Sequence, residues 1–196
     1  MHATRLTLIC HALTPLQKRG RFPDDESLAL NGQGATLSLA GGFKKGRRLL
    51  CGPEARTRET ARLFGTDAVI EPALRDGDFG QWKGQDIGQL DSDALTTWLT
   101  DSASAPHGGE SVDQICTRVA LWMESLESQP GHVLAVTHPF VIRAAMLYVM
   151  RYPIALFHRI DVEPLSATEL RFNGVWRLRL ETHAWPPEHG KIAAPQ

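Results

Sequence analysis

The sequence contains little cysteine. Its 196 residues include three cysteines, Cys10, Cys51 and Cys116, and no two of them form a CxxC pair. An odd number of thiols without that spacing does not predict a disulfide framework and is typical of a protein from a reducing compartment. We therefore do not expect a secreted, disulfide-stapled domain.

An excess of charge of either sign is also missing. Lys and Arg number 21 against 22 Asp and Glu, which gives a formal net charge of -1 and an isoelectric point near 6.7. Proteins that bind nucleic acid or anionic membranes electrostatically present a basic face. We therefore expect neither a nucleic-acid partner nor a membrane partner, and any positive potential has to be local.

Long hydrophobic runs are absent as well. A single early arginine, Arg5, precedes an apolar run that is too short for a signal-peptide core or a membrane span. This pattern predicts a cytoplasmic protein. The length and the 42% hydrophobic content fit one domain, which we place at residues 1–181, followed by a Pro-rich tail at 182–196.

Two histidines follow short apolar runs that are typical of buried strands. The run LTLIC at 6–10 ends at His11, and the run VLAVT at 133–137 ends at His138, which precedes Pro139 and an apolar helical stretch. In open α/β sheets the ligand crevice lies beyond the carboxyl ends of the strands. We therefore expect His11 and His138 to meet over one small anion.

Strand and helix patterns alternate along the chain without an internal repeat, which predicts one α/β domain with a mainly parallel sheet. A glycine-rich segment at 76–88 predicts a long ordered loop, and such loops are often functional. The remaining predicted elements are strands at 47–51, 167–172 and 175–180 and helices at 28–40, 54–64 and 111–126.

Several sequence blocks carry a family resemblance in the expected order. They are CHALT at 10–14, GPEAR at 52–56 followed by Thr60-Ala61, LRDGDFGQWKG at 74–84, GES at 109–111, and VTH at 136–138 with Arg143. The chain resembles the histidine phosphatase superfamily over roughly residues 6–180. The resemblance implies a phosphoglycerate-mutase-like three-layer sandwich with a mainly parallel central sheet.

The resemblance also implies a site and a reaction. His11 would attack phosphorus as a neutral imidazole and form a phosphohistidine, and Asp76 would protonate the leaving oxygen. His138 and Arg56 would bind the phosphoryl oxygens, and Ala12 and Thr14 would line the substrate site. No metal or other cofactor is implied, and the expected ligand is a small phosphorylated substrate or a phosphate-like anion.

Three positions depart from the family pattern. Cys10 stands where the family has Arg, Ala12 where it has Gly, and Asp76 where it usually has the longer Glu. Each lost charge-assisted hydrogen bond is worth roughly 1.5–3 kcal/mol, so catalysis is expected to be weakened. Asp78 and Glu110 remain alternatives for the acid. The basic residues that remain candidates to replace the missing arginine are Arg5, Lys18, Arg19, Arg21 and Arg143.

Each singled-out residue also has a structural interpretation. A histidine at a strand end is commonly a hydrogen-bonded structural residue, and Arg56 on a charged helix is commonly solvated. The leading hypothesis is a metal-independent phosphoric monoester hydrolase that acts through His11. The alternatives are a catalytically inactive pseudophosphatase that binds a phosphorylated ligand or a protein partner, and a phosphoglycerate mutase. The physiological substrate and the oligomeric state are not encoded in these patterns.

Overall fold

The computed structural model describes residues 3–29 and 47–180. The strands in these ranges are β1 (Thr4–Cys10), β2 (Arg48–Cys51), β3 (Val69–Ile70), β4 (Gly131–Thr137), β5 (Ala167–Phe172) and β6 (Trp176–Arg179). The α-helices are α1 (Ala55–Ala61), α2 (Ser92–Thr100), α3 (Val112–Glu127) and α4 (Pro139–Met150). Short 3₁₀ turns occupy Gln17–Arg19, Pro72–Leu74, Gly80–Trp82, Ile87–Gln89 and Ile154–Arg159.

The strands form one sheet in the order β3-β2-β4-β1-β5-β6. The first four strands in that order are parallel, and β5 and β6 run antiparallel at one side. In the pairing of β1 with β4, Cys10 lies opposite Thr137. The residues that follow, His11 and His138, therefore leave the sheet side by side, and the predicted mainly parallel sheet is confirmed.

Helices cover both faces of this sheet. Leu6, Leu8 and Cys10 of β1 face a large cluster built with α3 and α4, whereas Ile9 faces the smaller cluster around Ala61 of α1. Successive residues of a strand point to opposite faces, so one apolar run serves both layers. The result is the predicted three-layer arrangement of helices, sheet and helices.

The helices that flank the site begin with recognisable signals. Ser111 caps α3: its hydroxyl accepts from the amide of Gln114, and the Gln114 side chain accepts from the amide of Ser111. Helix α4 begins with Pro139, whose missing N–H is not needed in the first turn. His138 is therefore held at the junction between β4 and α4.

An aromatic cluster packs the loop between α1 and α3. Phe22, Phe79, Trp82 and Trp98 are each at most 6% exposed, and Phe140 of α4 packs against them. The two tryptophans are packing anchors, and they tie the loop that follows Asp76 to the body of the protein.

Some predicted boundaries differ from the structure. The helix predicted at 54–64 is α-helical only over Ala55–Ala61, because the following residues form a turn, and the predicted 76–88 loop contains two 3₁₀ turns. The helix predicted at 28–40 and the tail at 182–196 lie largely or wholly outside the described residues. Within residues 3–29 and 47–180, no helix combines the length and the hydrophobicity that a membrane span requires.

Candidate active site

His11 is a buried, neutral imidazole with an available lone pair. Its Nδ1 lies 2.8 Å from the carbonyl oxygen of Ala12, and because a carbonyl only accepts, Nδ1 carries the hydrogen. The lone pair is therefore on Nε2, which is buried and has no hydrogen-bond partner within the described ranges. Burial, together with the nearby charge of His138, lowers the pKa of His11 to about 3.

His138 lies next to His11 and differs from it in protonation, because its surroundings favour the protonated imidazole. The two ring centroids are 5.0 Å apart. Nε2 of His138 lies 2.8 Å from Oε2 of Glu54, and Nδ1 lies 3.3 Å from Oδ2 of Asp76, the latter as an ion-pair contact. Burial opposes the charged form, but Asp76 and Glu54 outweigh it and raise the pKa of His138.

Arg56 is the fixed cation of the site. It lies in the first turn of α1 and is 2% exposed. Its Nη2 donates to Oδ2 of Asp76 at 2.6 Å, and its Nη1 donates to the carbonyl oxygen of Asp24 at 2.6 Å. Its Nε is buried without a partner in the part of the chain that the structure describes. One buried donor of the guanidinium therefore remains for an anion.

Asp76 is an anion held between the two cationic side chains. Its Oδ2 contacts Arg56 and His138, and its Oδ1 accepts from the amide of Gly77 at 2.9 Å. Burial favours the neutral acid, but His138 and Arg56 outweigh it and hold the pKa of Asp76 far below its usual range. Asp76 therefore carries no proton near neutral pH.

Glu54 is the residue of the site that the sequence analysis missed. Its Oε2 contacts His138, and its Oε1 accepts from the amide of Asp76 at 2.9 Å. Burial favours the neutral acid, but His138 outweighs it and lowers the pKa of Glu54. The one available signal was its place two residues before Arg56 in the GPEAR block. We call His11, Glu54, Arg56, Asp76 and His138 the histidine-centred cluster.

A second charged cluster contacts the segment that leads to Asp76. Glu110 receives hydrogen bonds on Oε1 from Arg75 and Arg118 and on Oε2 from Arg118, at 2.9–3.0 Å. Arg118 also donates to the carbonyl oxygens of Ala73 and Arg75. We call Arg75, Glu110 and Arg118 the guanidinium-held cluster, and it positions the loop that carries Asp76.

A cleft of about 270 Å³ reaches the three charged non-histidine members of the histidine-centred cluster, whereas the two buried histidines do not line it. Glu54, Arg56 and Asp76 line it from one side, and Asp78 and Lys83 form an exposed ion pair at 2.6 Å on its rim. The cleft is large enough for a small phosphorylated ligand. Among the residues that the structure describes, no group of three or more His, Cys, Asp or Glu side chains is arranged to hold a metal ion.

The motif residues next to His11 serve local structure. The Ala12 amide donates to Oγ1 of Thr60, and the Thr14 hydroxyl is hydrogen-bonded with Gln17. Cys10 faces the apolar cluster under α4, and burial raises the pKa of its thiol to about 12. Position 10 therefore contributes no charge where the family has an arginine.

The predicted substitutes for that arginine occupy different places. Arg5 lies at the opposite end of β1 and pairs with Glu169 at 2.6 Å. Arg21 donates to the carbonyl oxygen of Gly84, and Lys18 and Arg19 lie in an exposed turn. Arg143 donates through Nε to the carbonyl oxygen of Ile160, and its guanidinium lies over Phe140 and Phe157. None of these contacts reaches His11.

The sheet order and the paired histidines define the phosphoglycerate-mutase-like class of α/β proteins. The chain belongs to the histidine phosphatase superfamily (branch 1), whose family model matches residues 6–182. The family resemblance found in the sequence is thereby confirmed. The roles of the individual site residues stay predictions.

Relatives of the chain include phosphatases. An acid phosphatase of Mycobacterium tuberculosis is 30% identical over 162 residues, which cover 77% of this chain and 78% of that protein. The native structure of a mycobacterial glucosyl-3-phosphoglycerate phosphatase matches with a TM-score of 0.79 and 25% identity, covering 90% of this chain and 97% of that one. That phosphatase has also been solved with inorganic phosphate.

One further relative is considerably longer than this chain. A bifunctional protein of Mycobacterium tuberculosis is 27% identical over 193 residues, which cover 90% of this chain and 53% of that protein. The chain therefore spans about half the length of this curated relative.

Proposed function

We propose that the chain is a metal-independent phosphoric monoester hydrolase that forms a phosphohistidine on His11. The observation that carries the proposal is the Nε2 atom of His11, which is buried, deprotonated and without a partner in the described ranges. Covalent catalysis requires such an available lone pair. The phosphatases among the relatives support the same reaction class.

The neighbouring charges suit phosphoryl transfer. Catalysis of this reaction consists mainly of positioning and of stabilising charge on the equatorial oxygens. His138 and Arg56 supply that charge, and Asp76 holds both of them in place before a substrate arrives. An incoming phosphoryl group displaces the Asp76 carboxylate from Arg56. The buried thiol of Cys10 adds nothing, so the rate is expected to be lower by about 10- to 1,000-fold than with an arginine there.

The reaction then proceeds in two displacements. Nε2 of His11 attacks phosphorus while the bond to the leaving oxygen breaks, and that oxygen takes up a proton. Water attacks the phosphohistidine in the second step and releases inorganic phosphate and neutral His11. The hydrogen bond from Nδ1 to the carbonyl of Ala12 keeps the imidazole in the required tautomer throughout.

Hydrolysis of 4-nitrophenyl phosphate, measured with a chelator from mildly acidic to neutral pH, tests the proposal. We expect His11→Ala to reduce turnover by about 10³-fold or more. His132→Ala is the matched control, because His132 bonds to Thr7 at the other end of the sheet. An acid-labile, alkali-stable phosphoryl label should appear on the wild type and on His132→Ala but not on His11→Ala. Equal turnover by the wild type and His11→Ala would contradict the phosphohistidine route.

A pseudophosphatase is the second candidate, and one observation favours it. Arg56 and His138 are already paired with Asp76, and position 10 is uncharged. Apart from the buried Nε of Arg56, the donors of such a site become available to an anion only when a carboxylate is displaced. Calorimetric binding of inorganic phosphate without any His11-dependent turnover of aryl or alkyl phosphates would establish this alternative.

A further inference from the structure

We infer that Glu54 is the group that protonates the leaving oxygen and then takes a proton from the attacking water. The inference rests on the proposed phosphatase reaction and assigns its proton transfer to a position that the family resemblance does not mark as catalytic. The sequence points to Asp76, with Asp78 and Glu110 as alternatives. The structure adds Glu54, a fourth candidate carboxylate, which contacts His138.

Two of the four carboxylates are committed elsewhere. Both oxygens of Glu110 are occupied by the guanidinium groups of Arg75 and Arg118. Asp78 is half exposed on the rim of the cleft and pairs with Lys83. The described contacts of Asp78 and Glu110 do not include either histidine of the site.

Asp76 is close to the reacting groups but is poorly suited to carry a proton. Its Oδ2 accepts from Arg56 at 2.6 Å, and its Oδ1 accepts from the amide of Gly77. A guanidinium does not give up a proton in a protein, so Arg56 cannot reload Asp76. Asp76 is also one methylene shorter than the usual family acid, and a misplacement of about 1 Å can cost roughly 100-fold in rate.

Glu54 has a reach that Asp76 lacks, and it lies closer than Asp76 to the shared proton donor His138. Its Oε2 lies 2.8 Å from Nε2 of His138, a side chain that can both donate and regain a proton. The Glu54 side chain is 17% exposed and lines the cleft, whereas that of Asp76 is 9% exposed. Binding of a phosphoryl dianion brings negative charge towards the carboxylate, which favours its protonation by His138. After this transfer Arg56 remains the cation at the phosphoryl oxygens, and the neutral His138 remains a hydrogen-bond donor.

The residue at position 52 makes room for this contact. A Cβ atom on Gly52 would lie 2.8 Å from Oε2 of Glu54, 2.9 Å from the backbone carbonyl oxygen of Leu74 and 3.2 Å from Nε2 of His138. In the histidine phosphatase superfamily, the block that corresponds to GPEAR at 52–56 usually begins with Ser-Pro, whereas this chain has Gly52-Pro53. The absence of a side chain at 52 and the carboxylate at 54 are therefore geometrically coupled.

The proton transfers balance in both steps. In the first, the lone pair of Nε2 forms the nitrogen–phosphorus bond, the phosphorus–oxygen bond breaks, and the leaving oxygen takes the proton of the Glu54 carboxyl to give an alcohol. In the second, water attacks phosphorus, its proton goes to the Glu54 carboxylate, and the nitrogen–phosphorus bond breaks. Glu54 is thereby returned to its protonated form, and it gives the proton back to His138 when inorganic phosphate leaves, which restores the resting ion pair.

A comparison of two aryl phosphates tests the assignment, because their leaving groups differ in their need for a proton. Phenolate requires protonation, whereas 2,4-dinitrophenolate leaves without it. We expect Glu54→Gln to lower kcat/KM for phenyl phosphate by about 100-fold or more and that for 2,4-dinitrophenyl phosphate by less than about threefold. Glu59→Gln on the same helix is the control, because Glu59 bonds to the amide of Leu28 instead.

Asp76→Asn separates the two carboxylates. If Asp76 only positions Arg56 and His138, its substitution should slow both substrates by similar factors. A large loss for phenyl phosphate alone in Asp76→Asn, or equal losses for both substrates in Glu54→Gln, would overturn the assignment to Glu54. Failure of the proposed function is distinguishable, because wild type and His11→Ala would then hydrolyse 2,4-dinitrophenyl phosphate equally slowly.

Discussion

The two charge clusters of this protein use the same chemical groups for different purposes. In the guanidinium-held cluster, Glu110 is surrounded by the guanidinium groups of Arg75 and Arg118, a chemical group that does not give up protons in proteins. In the histidine-centred cluster, Glu54 and Asp76 share His138, whose proton can move. Glu110 and Asp76 are equally buried, but only Asp76 contacts a histidine. Whether a carboxylate can exchange protons therefore depends on its partners more than on its burial.

The largest expected effect comes from breaking the guanidinium-held cluster. Arg118→Met leaves the buried Glu110 with only the partly exposed Arg75, so we expect a loss of about 3–5 kcal/mol in the free energy of unfolding, measured with urea. Arg171→Met is the control, because its bond to Glu169 comes from an exposed side chain and is worth about 1 kcal/mol or less. Similar losses in both variants would show that the cluster is not structural.

The histidine-centred cluster should reveal itself in the pH dependence of stability. The pKa of His11 is about 3 in the folded protein and about 6.5 in the unfolded chain. Between these pH values the unfolded chain therefore binds more protons than the folded protein. This contribution to stability is present above about pH 6.5 and is lost as the pH falls towards 3, by about 1.4 kcal/mol per pH unit.

Urea unfolding of the wild type and of His11→Gln between about pH 3 and pH 6.5 measures this contribution. It is the difference between the two proteins in the slope of the free energy of unfolding against pH. His138 is present in both proteins, so its opposite dependence cancels to first order. Parallel curves for the wild type and His11→Gln would mean that burial does not hold His11 neutral.

A smaller effect is expected when the charge of Arg56 is kept but its shape is changed. Arg56→Lys cannot reach both the carbonyl of Asp24 and the carboxylate of Asp76, so we expect kcat/KM for 4-nitrophenyl phosphate to fall by about 100-fold. Arg58→Lys, on the same helix but exposed, should stay within about threefold. Equal rates for Arg56→Lys and wild type would show that catalysis does not require one side chain to bind both Asp24 and Asp76.

The smallest effect is expected from the residue that accommodates Glu54. Gly52→Ser places an atom against Glu54, His138 and the carbonyl oxygen of Leu74, and we expect about a tenfold loss of kcat/KM for phenyl phosphate. Gly88→Ser provides the control, because a Cβ atom there meets only a side-chain oxygen at 3.4 Å. An unchanged rate in Gly52→Ser would show that the two side chains separate without cost.

Much of the fold was predictable from local patterns. The runs before His11 and His138 are apolar on both faces, as buried parallel strands require, and Ser111 with Gln114 forms a capping box at α3. Strand β3 was not predicted, because it has two exposed residues and depends on its pairing with β2. Helix α2 was also missed, although Asp91 caps it by accepting from the amide of Ala94.

The candidate site was predictable only in part. His11, Arg56, Asp76 and His138 were identified from strand ends and motif blocks, and the structure brings their side chains together. Glu54 was missed because its neighbours in sequence give no sign that it points towards His138. Ala12 and Thr14 were predicted to bind substrate, and their described contacts are with Thr60 and Gln17.

By itself, the sequence determined the two histidines at the ends of buried strands and the loss of positive charge at position 10. These properties follow from local hydrophobic pattern and from residue identity. Only the tertiary structure decided which carboxylate meets which cation. Glu54 and His138 are 84 residues apart, and a 2.8 Å contact between them depends on the register of β1, β2 and β4. Electrostatic roles are set by distances of a few ångström, which sequence spacing does not specify.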